Sequence, residues 1–544
     1  MPYDRRLPGR TVIASPRATR GMAVAPHALA AQSALAILRE GGNAVEAMIA
    51  AAASIAVVYP HMNGIGGDGF WLVSTPEGGV QGIDACGAAA AGASIEAYAA
   101  RGVTGSIPFR GGVAALTVAG TVSGWDAAHR LSREKLGGRL PLSRLLDDAV
   151  VYAEQGIAVT RSQQVNTATK RDQLEAVHGF AETFLPGGTV PQAGERFRQP
   201  RLGATLRQLA RRGPDDFYRG ELAASIADDL ARAGSPITLA DLAAHRAQSR
   251  TPVTLAHSAG QLYNMPPPTQ GLVSLLILGI LDRLNIAGLD PLGADYVHFA
   301  AEAVKQSFRI RDAHITDPAY MTVDPAALLA PAAVDELAAR IDAARAAPWG
   351  KGKAGGDTIW MGVIDGDGRA VSFIQSLYHE FGSGVVLDQS GINWQNRGCS
   401  FSLDPRARNP LMPGRKPFHT LNPALARFND GRLMVYGNMG GDGQPQTQSA
   451  VFTRTAVYGM SPAAAIAAPR WLLGRTWGQA SDTLKLEARF APEVVEELRR
   501  RGHDVEVLAP YDETMGHAGA VIQHPNGVFE GGADPRSDGA VAGW

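Results

Sequence analysis

Apolar residues recur at helical spacing near the start of the chain. HALAAQSALAILRE (residues 27–40) places them every three to four positions and stops at Gly41-Gly42, which predicts an amphipathic helix with a glycine terminator. Asn43 followed by Glu46 predicts a capping box opening a second helix. The run from Ala47 to Val58 is apolar on every side and ends near Tyr59-Pro60. It is well short of the about 20 residues a bilayer span needs, so a buried helix is expected. Asn63–Gly69 (NGIGGDG) then leads into a strand over Phe70–Ser74. Gly64, Gly66 and Gly69 form a GxGxxG pattern, but with the helix before it and the strand after it. That order is the reverse of a dinucleotide fingerprint, so the glycines are expected to serve tight turns and close approaches.

Residues 115–330 read mostly as helices joined by short loops, with one strand at Gln261–Met265 stopped by Pro266-Pro267-Pro268. A further amphipathic helix is predicted over 332–347. A polar, glycine-rich break follows, Pro348–Asp357 (PWGKGKAGGD), and beyond it the period changes from helix to strand. Thr358–Asp365 and Arg369–Ser376 flank Gly366-Asp367-Gly368, a strong hairpin signal. Strands at Arg432–Tyr436 and Ala518–His524 and a helix at 492–501 complete the pattern, with no internal repeat.

Composition narrows the class. At 544 residues and 57.2 kDa, with 45% hydrophobic and 19% charged residues, the chain can bury a large core. A prior of roughly 150 residues per domain would give three or four domains, although intertwined α/β enzymes often exceed it. The formal net charge of −1 gives no support to nucleic-acid or membrane binding. Cys86 and Cys399 could pair but are no disulfide framework. The opening residues carry no apolar signal core, so a soluble cytoplasmic enzyme is expected. No HExxH, CxxC, Walker or GxSxG pattern occurs, and no metal or cofactor is expected.

The candidate chemistry lies at the break. With Gly366-Asp367 as a two-residue loop, Thr358 faces Gln375; with the loop one residue longer, it faces Ser376. A hydroxyl needs a base to become a nucleophile. If the peptide before Thr358 were cut, the freed α-amine, with a reference pKa of about 7.7–8.0, would supply one. On spacing alone, a β-branched residue opening a strand is the commoner reading. The run Gly437–Gly443 after the LMVY strand offers backbone amides for an oxyanion, or a simple turn.

The chain also resembles the γ-glutamyltranspeptidase family. The likeness runs from GMAVAPHALAAQSALAILREGGNAVEAMIAAAASIAVVYPHMNGIGGDGF through VAGTVSGWD (118–126), YNMPPPTQG (263–271) and AEAVKQSFRIRDAHITDP (301–318). It continues to MGHAGAVI (515–522) and GGADPRSDGAV (531–541), and TIWMGVIDGDGRAVSFIQSLYHEFGSGV resembles the start of the family's processed small subunit. The resemblance implies an αββα sandwich of the N-terminal-nucleophile hydrolase type, cut autocatalytically at Asp357-Thr358. The products would be a large subunit (1–357) and a small subunit (358–544), held together as an αβ heterodimer with a possible (αβ)2 assembly. It also implies Thr358 as nucleophile, Ser376 as supporting hydroxyl and Gly440 and Gly441 as oxyanion donors, which tips each of the readings above.

The family pattern breaks at the acyl pocket. Cys86 stands where the family's carboxylate-binding arginine is expected, and Tyr378 where it has an asparagine. Arg397 and Ser400 replace a glutamine and an acid, and His419-Thr420 replace a serine pair. Cysteine cannot form a bidentate charged contact. The pocket is expected to have lost its anion for an ammonium and to take, through Arg397, an acyl group with a carboxylate and no α-amine. Oxamate-type and glutaryl or cephalosporin-type amides fit; a small-molecule amide is the expected partner, with neither nucleic acid nor membrane. Both cysteines are expected to line this pocket. FGSGV, WQNRG, FSLDP, PGRKPFHT and GGDGQPQTQ resemble an acylase and amidohydrolase subgroup. Competing expectations are a genuine γ-glutamyltransferase or glutathione hydrolase and an unprocessed, non-catalytic binding protein.

Overall fold

The structure is a computed structural model describing residues 13–350, 357–474 and 481–544. Two seven-stranded antiparallel sheets stack face to face between layers of helices. One sheet runs in the order Ala540–Gly543, Gly21–Ala25, Asp357–Asp365, Ala370–Tyr378, Asp68–Ser74, Val80–Ala85, Gln248–Arg250. The other runs Arg17–Ala18, Phe529–Ala533, Ala518–Gln523, Leu433–Asn438, Ala424–Phe428, Gly260–Asn264, Val253–His257. Both sheets combine strands from before and after residue 357.

Strand alternation divides the core into three layers. Trp360, Ile364, Phe70, Leu72 and Ile374 point into the gap between the sheets, where they meet Leu425, Val435 and Val521 of the other sheet. Their neighbours Ile359, Met361, Val363, Trp71 and Phe373 face the opposite way, onto the helices Ala28–Arg39 and Ala44–Val58. The outer face of the second sheet is covered by Gly271–Arg283, Ala294–His314 and Gln444–Ala456. This is the αββα sandwich. The Ala44–Val58 helix is buried along its whole length and carries the Asn43–Glu46 capping box. Its alanines let it lie close against a sheet.

Trp360 occupies the middle of the inter-sheet gap and sets local composition. A Cβ on Gly437 would lie 2.2 Å from its ring, and one on Gly519 2.6 Å from it. Those glycines on the facing sheet make room for the indole, whose Nε1 donates to Ser372 Oγ at 2.9 Å.

Several expectations need correction. The helix predicted over 332–347 runs only over Pro331–Ala339. The residues after it are held by tertiary contacts instead: His298 Nε2 meets the Asp342 carbonyl at 2.8 Å, Ala346 N donates to the Arg501 carbonyl, and Lys305 Nζ donates to the Ala347 carbonyl. The largely helical region also contains strands at Gln248–Arg250 and Val253–His257, the latter with alternating burial that joins it to the sheet edge. Most of the predicted break, residues 351–356, lies outside the described residues. Cys86 and Cys399 are both free, in keeping with the expectation that they form no disulfide framework.

Candidate active site

The hairpin places the candidate nucleophile. Ile364 pairs with Ala370, and Asp365 N donates to the Arg369 carbonyl at 3.0 Å, so the loop is Gly366-Asp367-Gly368 rather than two residues. Gly368 adopts φ +86°, the left-handed conformation that permits this longer turn. The extra residue decides the partner. Thr358 Oγ1 donates to Ser376 Oγ at 3.2 Å, whereas Gln375 faces the helices and binds Asn63 Oδ1 at 2.7 Å. A bulge interrupts the ladder between Asp357 and Ile359, and Tyr378, opposite Asp357, is left-handed at φ +84°. Bulges re-aim side chains in this way. The Tyr378 amide then donates to Ser376 Oγ at 2.8 Å.

The row continues onto the next strand. Ser376 is the register partner of Asp68, and Asp68 is followed across the Val80–Ala85 strand by Cys86 just past its end. Thr358, Ser376, Asp68 and Cys86 thus line one end of the inter-sheet gap, all buried. Asp68 was not anticipated, and it corrects the expectation that the pocket had lost its anion. The position equivalent to the family's acid is Ser400, while Asp68 arrives from a distant strand. The available signal was a lone carboxylate inside an otherwise uncharged glycine turn.

Arg397 stands above this row, in the short 3-10 turn Arg397–Ser400. Its guanidinium lies 4.0 Å over the Tyr378 ring and donates from Nη1 to Thr420 Oγ1 at 3.3 Å. It makes no ion pair among the described residues, and Nη2 is buried without a hydrogen-bond partner. Burial lowers its pKa to about 10, so it remains a cation at neutral pH. Asp68 Oδ1 accepts from Gly87 N at 3.0 Å and Gly120 N at 3.1 Å, while Oδ2 has no hydrogen-bond partner. Burial pushes Asp68 up to about 7, against the opposing pull of the Gly87 amide and Arg397. His419 Nε2 lies 3.5 Å from Asp68 Oδ2, but neither ring nitrogen makes a hydrogen bond. Burial, helped by Arg397 and Lys416, holds this imidazole well below its usual range and therefore neutral. Arg397 Nη2, Asp68 Oδ2 and both ring nitrogens of His419 thus lie together, buried, with hydrogen-bonding capacity to spare.

The remaining predicted residues fall around this cluster. Gly440 and Gly441 have φ +114° and +49° and sit just before the helix Gln444–Ala456. Neither amide donates a hydrogen bond among the described residues, as an oxyanion site requires. Gln270 Nε2 ties the Gly441 and Thr420 carbonyls together at 2.8 Å each, and Gln444 Nε2 reaches Thr358 Oγ1 at 3.5 Å. Gly437 and Asn438, taken above as part of the same loop, belong to the strand. Ser400 is half-buried, one turn past Arg397, with no partner for Oγ. Cys399 Sγ meets the Pro108 carbonyl at 3.0 Å. Burial keeps both thiols protonated, Cys86 well above and Cys399 at about 12. A cavity of about 900 Å³ reaches the row at Cys86 and is otherwise lined by residues such as His245, Arg250, Asp317 and Lys416. It neighbours the unsatisfied cluster rather than containing it.

Comparison with known proteins gives a consistent picture. The family model described as Gamma-glutamyltranspeptidase matches residues 30–544. The oxamate amidohydrolase proenzyme of Klebsiella pneumoniae subsp. pneumoniae is 62% identical over 526 residues, covering 97% of this chain and 99% of that one. The glutathione hydrolase-like YwrD proenzyme of Bacillus subtilis is 41% identical, covering 96% and 98%. Among solved structures, the cephalosporin acylase from Bacillus halodurans superposes with a TM-score of 0.88 at 33% identity, covering 100% of this chain and 99% of that chain.

Proposed function

Because the chain belongs to the gamma-glutamyltranspeptidase family, we propose that it is an amidohydrolase whose nucleophile is Thr358 and whose substrate is an amide of a carboxylate-bearing acyl group without an α-amine, of the oxamate type. The buried, unpartnered Nη2 of Arg397 carries the reading. A guanidinium out of water with a free donor is best satisfied by a carboxylate, and its charge repels an ammonium. The name of the Klebsiella relative favours the same acyl class.

The chemistry begins with the chain itself. Thr358 Oγ1, polarised by Ser376, attacks the Asp357 carbonyl carbon. The hydroxyl proton passes to the Thr358 nitrogen as the Asp357–Thr358 C–N bond breaks, and water hydrolyses the resulting ester. Residues 1–357 and 358–544 then form the large and small subunits, and Thr358 gains a free α-amine as base. In turnover that amine takes the hydroxyl proton as Oγ1 attacks the substrate carbonyl. The Gly440 and Gly441 amides hold the oxyanion, the proton passes to the leaving amine, and water cleaves the acyl ester. These roles are the ones the family resemblance implies, and the Thr358–Ser376 hydrogen bond and the undonated Gly440 and Gly441 amides support them.

A γ-glutamyl donor is the competing reading, and Asp68 is the observation that favours it, since an ionised Asp68 would hold an ammonium. The raised pKa of Asp68 and the adjacent Arg397 weigh against it. The deciding assay compares processed enzyme on oxamate, a glutaryl amide and γ-glutamyl-p-nitroanilide. Turnover of the first two should exceed the third by at least tenfold in kcat/KM. Preference for the γ-glutamyl compound would sink this proposal, and a purified protein showing only the full-length band on a denaturing gel would sink the mechanism.

A further inference from the structure

The cluster above Ser376 holds one cation and one acid, each with an unsatisfied atom: Arg397 Nη2 and Asp68 Oδ2. Lys416 and Asp84, which also act on Cys86, are paired with one another, and the side chains against Asp68 add no second charge. His419, from the segment beside Thr420, is neutral, as is the Cys86 thiol past the Val80–Ala85 strand. Tyr218, whose hydroxyl accepts from Ser123 N and donates to the Ala119 carbonyl, is held protonated by burial. Gln395 presents an uncharged amide, and Gly87 and Gly120 present backbone N–H groups to the far oxygen. Arg397 is the cation that faces the acid.

A substrate carboxylate landing on Arg397 therefore brings a second anion beside Asp68 in a site closed to water. Two carboxylates at such a place cannot both stay ionised at neutral pH, and they settle by sharing a proton. We propose that Asp68 is the second half of the acyl-carboxylate site, binding the substrate's carboxylate from Oδ2 through a proton taken up from solvent and returned when the product leaves. This rests on the acyl reading above. The fixed bonds to Oδ1 leave Oδ2 as the oxygen available for that proton. A carboxyl already poised near 7 needs little further push to be protonated when the anion arrives.

Asp68 then acts on binding, whereas the Thr358 α-amine acts on turnover, so KM and kcat separate the two. With processed enzyme and oxamate, KM should be flat at pH 6 and rise toward tenfold per pH unit above about 7 to 8, because only the protonated fraction binds. The kcat should instead rise with pH as the amine loses its proton. Asp68→Asn keeps the acceptor for Gly87 and Gly120 and supplies a permanent donor at the second position, so its KM should lose the slope. Oxalate, the acyl product, should bind wild-type enzyme with uptake of 0.5–1 proton, read by calorimetry in two buffers of different ionisation enthalpy at about pH 7.5. This last readout does not depend on the variant folding. A flat wild-type KM from pH 6 to 9, a slope that survives in Asp68→Asn, or oxalate binding without proton uptake would each overturn the proposal. Failure to hydrolyse oxamate at any pH, with strong γ-glutamyl turnover, would instead reject the acyl reading and assign Asp68 to an ammonium.

Discussion

Thr358 Oγ1 bonds Ser376 Oγ while Trp360, two residues on, fills the gap between the sheets, and the strand register decides which hydroxyl lies beside the proposed nucleophile. The register had two solutions in the sequence, Gln375 or Ser376, and the three-residue loop selects Ser376. Thr358→Ala removes the attacking oxygen for both reactions, so a denaturing gel should show a single full-length chain and activity should fall by at least about 10³-fold. Surviving cleavage would move the nucleophile elsewhere. Arg397→Met removes the buried cation with little change in bulk. Truncating one partner of a buried charged contact costs about 2–5 kcal/mol, so KM for oxamate should rise by about two to three orders of magnitude while a γ-glutamyl donor loses no comparable factor. The unanticipated Asp68 also works on stability. Its pKa is raised, so its favourable state is the protonated one, and its cost accrues as pH rises from the unfolded value of 3.8 to about 7.

At the scale of elements, the site depends on how the hairpin is held between the sheets. Trp360 wedges against Gly437 and Gly519 two residues from Thr358. Gly437 lies in a regular strand without a positive φ, so its need is space and not backbone freedom. Gly437→Ala would put a methyl carbon 2.2 Å from the indole. Such overpacking costs about 1–3 kcal/mol, so the melting temperature should drop by a few degrees, and displacement of the strand should slow self-cleavage. Unchanged stability and processing would show that the indole relocates freely. The glycines of the NGIGGDG turn act in the same way: a Cβ on Gly66 or Gly67 would lie 2.2 Å from the carbonyl of Asn393 or Ser376. Close approach, not turn geometry, accounts for both.

Across the whole molecule, buried histidines set the acid limit. His27, His245 and His517 are lowered to about 4 and His503 to about 3, each chiefly by burial. A depressed pKa means the neutral form is the folded one. Their contribution is complete above the unfolded pKa of 6.5 and is lost as pH falls through about 4. Each loses up to about 1.4 kcal/mol per pH unit across that window. The melting temperature should therefore hold near pH 7 and fall steeply between pH 6 and 4. Asp534, held at about 2 by Arg470 and Arg536 against its burial, adds to the loss only at still lower pH. A flat profile down to pH 4 would mean these imidazoles find water in the folded state. No helix among the described residues is long and apolar enough to cross a membrane, in keeping with a core made of three sandwich layers.

What local pattern can specify, the sequence carried by itself. Helical spacing and the Asn43–Glu46 cap located the two N-terminal helices, the strand period located the hairpin after residue 357, and whole-chain resemblance singled out Thr358, Ser376 and the Gly440-Gly441 turn as candidates. These features depend on neighbours within a few residues or on motifs that survive as text. The helix predicted past Ala339 failed because its second half is bound to His298, Lys305 and Arg501, contacts that outweigh alanine-rich propensity. Gln375 and Ser376 could not be separated by pattern, because a loop one residue longer turns every side chain to the other face. Asp68 stayed hidden among glycines because its meaning lies across the sheet, with Ser376 on one side and Arg397 above. Only the tertiary structure brings an acid and a cation more than three hundred residues apart into one buried cluster, and burial is what strengthens the interaction of their charges there.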